Sequence, residues 1–160
     1  MADRLRHSKY FVLLIFFFVL ANCSGEALYS KFTEIKNASW EKNSPCDFEF
    51  MVTDTINSYD VFVEVRSNND YMFRNLWLFV CLTTPDGSVR QDTLNCELAD
   101  VYGKWHGKGN SLYTLDFLYE DAICFPDTGT YTYSVRQGMR EDPLKGISDI
   151  GLRVVKHIKQ

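Results

Sequence analysis

The sequence has no Gly-rich phosphate loop, no pair of histidines at helical spacing and no Gly-x-Ser-x-Gly elbow, so the common signatures of nucleotide, zinc and serine-hydrolase chemistry are missing. Histidine is scarce, with three in 160 residues, and only His106 and His157 lie outside the N-terminal leader. Two lone histidines are thin equipment for acid-base or metal chemistry, and the residues point to no metal and no cofactor. Basic residues are also few, at 17 against 21 acidic ones. Without a basic field the chain is not a nucleic-acid binder, and its acidity argues against electrostatic docking on anionic lipid. No apolar run is long enough to span a bilayer, which takes about 20 residues.

What is present at the N-terminus is an export signal. Arg4, Arg6, His7 and Lys9 precede an apolar core from Phe11 to Ala21, and Leu20-Ala21-Asn22-Cys23 follows it. Cleavage before Cys23 frees a cysteine for acylation, the bacterial lipoprotein pattern, and makes the lipid bilayer the first expected partner. An ordinary secretory cut between Ala21 and Gly25 is the alternative and leaves a soluble protein. Removing residues 1–22 leaves 14 basic and 20 acidic residues, a net charge near −6. The division expected is a signal peptide at 1–22, a lipidated N-terminus and short tether at 23–30, and one domain over 31–160.

Period-two alternation runs through that domain and no long helical period interrupts it, which predicts an all-β fold. Cys46, Phe48, Phe50 and Val52 form one apolar stripe, and Tyr59, Val61, Val63 and Val65 a second. Leu76 to Thr83 is apolar on both faces, as a central strand would be. Pro85-Asp86-Gly87 then joins it to a more polar arm, Ser88 to Leu98, in a hairpin. With Leu112 to Leu118, Thr130 to Arg136 and Ile150 to Lys156, this predicts a single antiparallel β-sandwich of seven or eight strands, immunoglobulin-like or jelly-roll-like. Asp127-Thr128-Gly129-Thr130-Tyr131 reads as a tyrosine corner, and Tyr29 to Trp40 as an edge strand or one helical turn. Cys46, Cys81, Cys96 and Cys124 lie in apolar runs and read as buried thiols, with one disulfide as the other possibility.

Two loops stand out as candidate contact surfaces. Ser67-Asn68-Asn69-Asp70-Tyr71 crowds amide and carboxylate groups at a turn, where they bond their own backbone more readily than they ligate calcium. The second, Asp100 to Asn110, sets Trp105 and His106 among three glycines. Trp105 either plugs the open end of the sandwich or is presented as an aromatic anchor. Trp105, His106, Asn69, Asp70 and Tyr71 are therefore the candidate partner-binding residues. A sandwich with two or more coplanar exposed aromatics would instead suit a glycan, and a hydrolase would need a site assembled only in space.

Several linked stretches together carry a family resemblance. They run from Arg66-Ser67-Asn68-Asn69-Asp70-Tyr71 into Phe73-Arg74-Asn75-Leu76-Trp77-Leu78, then through Ala99-Asp100-Val101-Tyr102-Gly103-Lys104-Trp105-His106-Gly107 and Phe125-Pro126-Asp127-Thr128-Gly129 to Gly146-Ile147-Ser148-Asp149-Ile150-Gly151. The combination resembles the gliding-motility lipoprotein GldH family of Bacteroidetes over nearly the whole mature chain. The resemblance implies a non-catalytic, lipid-anchored envelope component with protein partners in a motility or secretion assembly. The resemblance also implies that surface export goes with a signal rich in acidic residues just after the lipidated cysteine. Ser24-Gly25-Glu26 offers one acid, so the expected place is the periplasmic face of the outer membrane, with the cell surface as the other possibility. It brings no catalytic residue and no cofactor. It also implies an O-glycosylation system acting on Asp-Thr/Ser-aliphatic triplets, which Asp54-Thr55-Ile56 and Asp92-Thr93-Leu94 match at Thr55 and Thr93.

Overall fold

The computed structural model describes residues 27–107 and 109–158. The leader, Cys23 and the first residues of the expected tether lie outside the described residues. Ten strands follow one another: β1 (Ala27–Glu34), β2 (Ser39–Trp40), β3 (Cys46–Val52), β4 (Ser58–Asn68), β5 (Asn75–Thr83), β6 (Val89–Glu97), β7 (Leu112–Cys124), β8 (Gly129–Gln137), β9 (Leu144–Lys145) and β10 (Ile147–Lys156). A single 3-10 turn at Lys36–Ala38 precedes β2. The eight long strands make two antiparallel sheets, ordered β1-β10-β4-β7 and β3-β8-β5-β6, and β2 and β9 pair as a small ribbon. Numbered among the long strands alone, this is the strand order of a jelly roll, which decides between the two sandwich types expected.

Each buried stripe is the alternation seen in the sequence. β3 reads buried at Cys46, Phe48, Phe50 and Val52 and exposed between them. Tyr59, Val61, Val63 and Val65 of β4 meet Leu76, Leu78 and Val80 of β5 in one continuous core. The Phe50 ring lies 6.3 Å from Tyr131 and 6.1 Å from Tyr133, nearly parallel to both. Tyr131 makes the expected corner, its hydroxyl donating to the Asp127 carbonyl at 3.0 Å and accepting from the Asp127 amide at 3.3 Å. Tyr133, where an antibody domain would place a cysteine, is buried and donates to the Glu120 carboxylate, which Arg90 also engages across the gap between β7 and β6.

Three expectations need correction. β1 begins at Ala27, so Ala27 to Ser30 belong to the sheet and not to a tether, and the domain starts ahead of residue 31. β5 is central, but its second face, Trp77 and Phe79, looks out of the sandwich and is partly exposed. All four described cysteines are free thiols, yet only Cys46 and Cys96 are buried; Cys81 is half-buried and Cys124 exposed. No helix among the described residues is long and apolar enough to cross a membrane.

The register separates two ends of the sandwich. Ala27, the β3–β4 loop at 53–57, the β5–β6 turn, the 125–128 corner and residues 157–158 share one end. The loops at 35–45, 69–74, 98–111 and 138–146 share the other. β4, with 11 residues, spans the long axis, about 35 Å at the usual strand rise.

Candidate functional site

Both candidate loops lie at the end away from Ala27, and they touch. The Arg74 carbonyl accepts from the Leu98 and Ala99 amides at 2.8 and 3.0 Å, which ties the 69–74 loop to the start of the 98–111 loop. Inside the longer loop, Ala99 pairs with Trp105, and the Asp100 amide donates to Lys104 at 2.9 Å. The Asp100 carboxylate accepts from the Tyr102 and Lys104 amides at 2.8 and 2.9 Å. The Lys104 amide bond leads the influences that hold its carboxyl below the ordinary value. Gly103 takes φ +81 at the bend, a value a β-branched residue would resist.

This tight turn fixes what each aromatic can do. The Trp105 ring stacks on Tyr113 of β7, with centroids 5.2 Å apart and planes 15° from parallel, and sits 6.3 Å from the Tyr71 ring. It is half-buried and packs against the core, nearer the plug than the presented anchor. Gly107 permits the approach, since a Cβ there would come within 2.9 Å of the Tyr113 Cβ. Tyr71 is buried, its hydroxyl donating to the Asn75 carbonyl at 2.8 Å, so it cannot present a surface to a partner. Asn69, Asp70 and His106 are exposed as candidate contacts require. The Asp70 amide donates to the Asn68 side-chain oxygen at 2.9 Å, the turn chemistry read from composition.

The large apolar side chains most exposed at this end were not singled out by sequence reasoning. Tyr102 is 92% exposed, Met72 87% and Val101 70%. A local signal existed: an Asp followed three residues later by Gly marks a capped turn whose two central residues point outward. Composition drew the eye to Trp105, the largest ring, and the turn places its smaller neighbours at the tip.

The remaining chemistry-bearing groups lie elsewhere. Burial pushes the Cys46 thiol up to about 11, with the Asp47 carboxylate adding to it, and pushes Cys96 up to about 12, so both stay protonated and inert. At the end near Ala27, His157 Nδ1 lies 2.8 Å from Asp60 and 3.7 Å from Asp121. Burial would raise the Asp60 carboxyl, but bonds from the Ala122 amide and His157 prevail and hold it low. Three such ligand atoms fall short of a closed metal shell. Thr55 is half-buried in the β3–β4 loop, whereas Thr93 is exposed in mid-strand of β6, opposite Phe79, and not near a strand end.

Comparison with known proteins gives the chain its place. The family described as GldH lipoprotein matches residues 27–154, which is the folded domain from its first strand almost to the end of β10. A protein named gliding motility lipoprotein GldH homolog, from Christiangramia forsetii, is 30% identical over 154 residues, covering 91% of this chain and 94% of the relative. Gliding motility lipoprotein GldH of Flavobacterium johnsoniae is 30% identical over 151 residues, 89% of this chain and 93% of its own. Among solved structures, the Yersinia pseudotuberculosis-derived mitogen is similar over 86% of this chain and 91% of that one, with 8% identity and a TM-score of 0.33, too low to carry an argument. On the family match and both relatives, the chain belongs to the GldH lipoprotein family.

Proposed function

We propose that this chain is a motility-associated envelope lipoprotein, held to a membrane by acyl chains on Cys23, that binds a partner protein through the end of the sandwich formed by the 69–74 and 98–111 loops. The observation that carries the contact surface is the presentation of Val101 and Tyr102 on the turn that Asp100 braces, beside exposed Met72, Asn69, Asp70 and His106. Large side chains held out on a braced turn lose little entropy on docking, which is what an interface anchor needs. Tethering confines the domain to a thin layer beside other membrane proteins, so a weak contact suffices there. The names of the two relatives support the motility association, and the outer membrane, periplasmic face, is the location proposed. Thr55 and Thr93 remain proposed glycan acceptors, which the intact mass of the native protein tests.

The test is a photo-reactive amino acid at Tyr102 in native membranes, with the same residue at Glu49 on the outer sheet face as control. A discrete cross-linked species from position 102 alone is expected. Cross-linking from Glu49 with none from Tyr102 would overturn the assignment of the surface.

A second reading is favoured by one observation. Trp77 and Phe79 are both partly exposed on the outer face of β5, beside a groove of about 370 Å³ lined by Phe79, Gln91, Arg136 and Lys42. Rings flanked by amide, guanidinium and ammonium groups suit a sugar. Saturable binding of an envelope glycan that Trp77→Ala abolishes would support it over the protein partner.

A further inference from the structure

The end of the sandwich opposite the proposed partner surface carries an apolar feature that neither the core nor the partner reading uses. Ile56, in the β3–β4 loop, is 90% exposed, and Ile158, beyond β10, is 73% exposed. They share one end of the sandwich: Lys156 pairs with Tyr59, and the His157 amide donates to the Ser58 carbonyl at 2.8 Å, so the chain runs on to Ile158 beside the loop that holds Ile56. Ala27 opens β1 at this same end, paired with Val155.

Ile56 is also held in place. The Asp54 carboxylate accepts from the Ile56 amide at 3.0 Å, the Asn57 amide at 3.2 Å and the Tyr59 hydroxyl at 3.2 Å, and from the Asn57 side chain. These amides are therefore satisfied inside the loop. Seating the Ile56 side chain in the interface strands neither of these two donors, which lowers the cost of bringing the loop tip to lipid.

From Cys23 to Ala27 is four residues, about 14 Å of chain at full extension. The far loops stand about 35 Å away along the strands and cannot reach an anchor on so short a lead. The outer face of the β1-β10-β4-β7 sheet is the other surface the lead could bring down, and it is a charged lattice. Arg153 bonds Glu64 and Asp116 at 2.9 and 3.0 Å, and the Arg66 and Arg153 guanidiniums cover the rings of Phe32 and Phe62. Such a face gains little from lipid. The rim around Ile56 also carries Asp86, Asp121 and Asp127, so charge does not draw it to anionic headgroups.

We infer that Ile56 and Ile158 form a shallow lipid-contacting rim, seated in the bilayer interface beneath the domain, which stands the sandwich on end and turns the 69–74 and 98–111 loops away from the membrane. This rests on the acylation of Cys23, which supplies the local concentration that two isoleucines alone would not.

The test uses the lipidated full-length protein in nanodiscs of phosphatidylethanolamine and phosphatidylglycerol, with isoleucine δ-methyl and tryptophan indole NMR signals read before and after adding a lipid spin-labelled near its headgroup. Loss of the Ile56 and Ile158 signals is expected, with Ile35, Ile147 and the Trp105 indole, all at the far end, retained. The Ile56→Ser, Ile158→Ser double variant alters only exposed side chains, and should keep the fold while the far-end signals weaken as the domain tumbles on its lead. Equal loss at both ends in the parent protein, the pattern of a domain lying flat on either sheet face, overturns the inference. Mass spectrometry of the N-terminus separates the two readings: no acyl group sinks the anchor, whereas an acylated protein without the gradient sinks this rim alone.

Discussion

Two tyrosines in neighbouring loops show how little a residue type settles by itself. Tyr71 sits against Gly146, whose φ of +88 and missing Cβ let the backbone pass where a side-chain carbon would come within 2.2 Å of the Tyr71 nitrogen. Tyr102 stands at the tip of the turn that Asp100 braces. The sequence placed Tyr71 among contact residues and passed over Tyr102, because burial depends on a glycine 75 positions away that no local pattern reveals. Trp105 yields a direct test. Its stacking on Tyr113 predicts that Trp105→Ala lowers unfolding free energy by about 2–4 kcal/mol, less than a full core truncation at the upper limit, with urea denaturation as the measurement. A change below about 0.5 kcal/mol would mark the ring as a surface group. The cysteines give a second prediction. With Cys46 near 11 and Cys96 near 12, only about one thiol in a thousand or fewer is ionised at pH 8. Alkylation of the native domain at that pH should label Cys124 first and leave Cys46 and Cys96 for the denatured state.

At the scale of elements, legibility followed how local the cause was. β3, β4 and β5 were readable because one face packs and the other does not, so their period of two is unbroken. β1 was harder: its burial runs in pairs along an edge, and Phe32 is there to lie over Gly151 of β10, a cross-strand reason invisible in either segment. β7 reaches six residues past its expected end at Leu118, through register shifts opposite Tyr59 and Val61 that break the alternation. Turns were legible in part: Pro85-Asp86-Gly87 and the 67–71 loop could be read because Asp and Asn chemistry acts over two or three residues, whereas the turns braced by Asp54 and Asp100 went unread. Asp54 and Asp86 are each held down to about 2, Asp54 first by the Asn57 side chain and Asp86 first by the Thr84 hydroxyl. A carboxyl depressed in the fold stabilises it above its unfolded value near ~3.9 and ceases to as pH falls through about 2. Melting temperature should therefore fall as pH drops from about 4 to 2, and the Asp54→Ala, Asp86→Ala double variant should show a shallower slope across that window. An unchanged slope would assign the acid sensitivity to other carboxylates.

For the molecule as a whole, the strand order was beyond the sequence because all but one of the pairings in the two sheets join strands distant along the chain; only β5 and β6 form a hairpin of sequence neighbours. That order has a functional consequence that alternation alone could not suggest. It sends the chain's entry, Ala27, to one end and both candidate contact loops to the other. A domain so polarised transmits position: whatever fixes the Ala27 end sets the height at which Met72, Val101 and Tyr102 are offered. Lengthening the lead should then matter without touching the fold. Inserting about ten Gly and Ser residues ahead of Ala27 should leave melting temperature and partner affinity in detergent unchanged, because no packed residue moves. In membranes the same insertion should lower cross-linking from Tyr102, since effective concentration falls roughly as the −3/2 power of tether length once the span is exceeded. If cross-linking instead survived the insertion in full, the partner would be finding the loops by affinity alone, and the short distance between Cys23 and the first strand would have no bearing on how the contact forms.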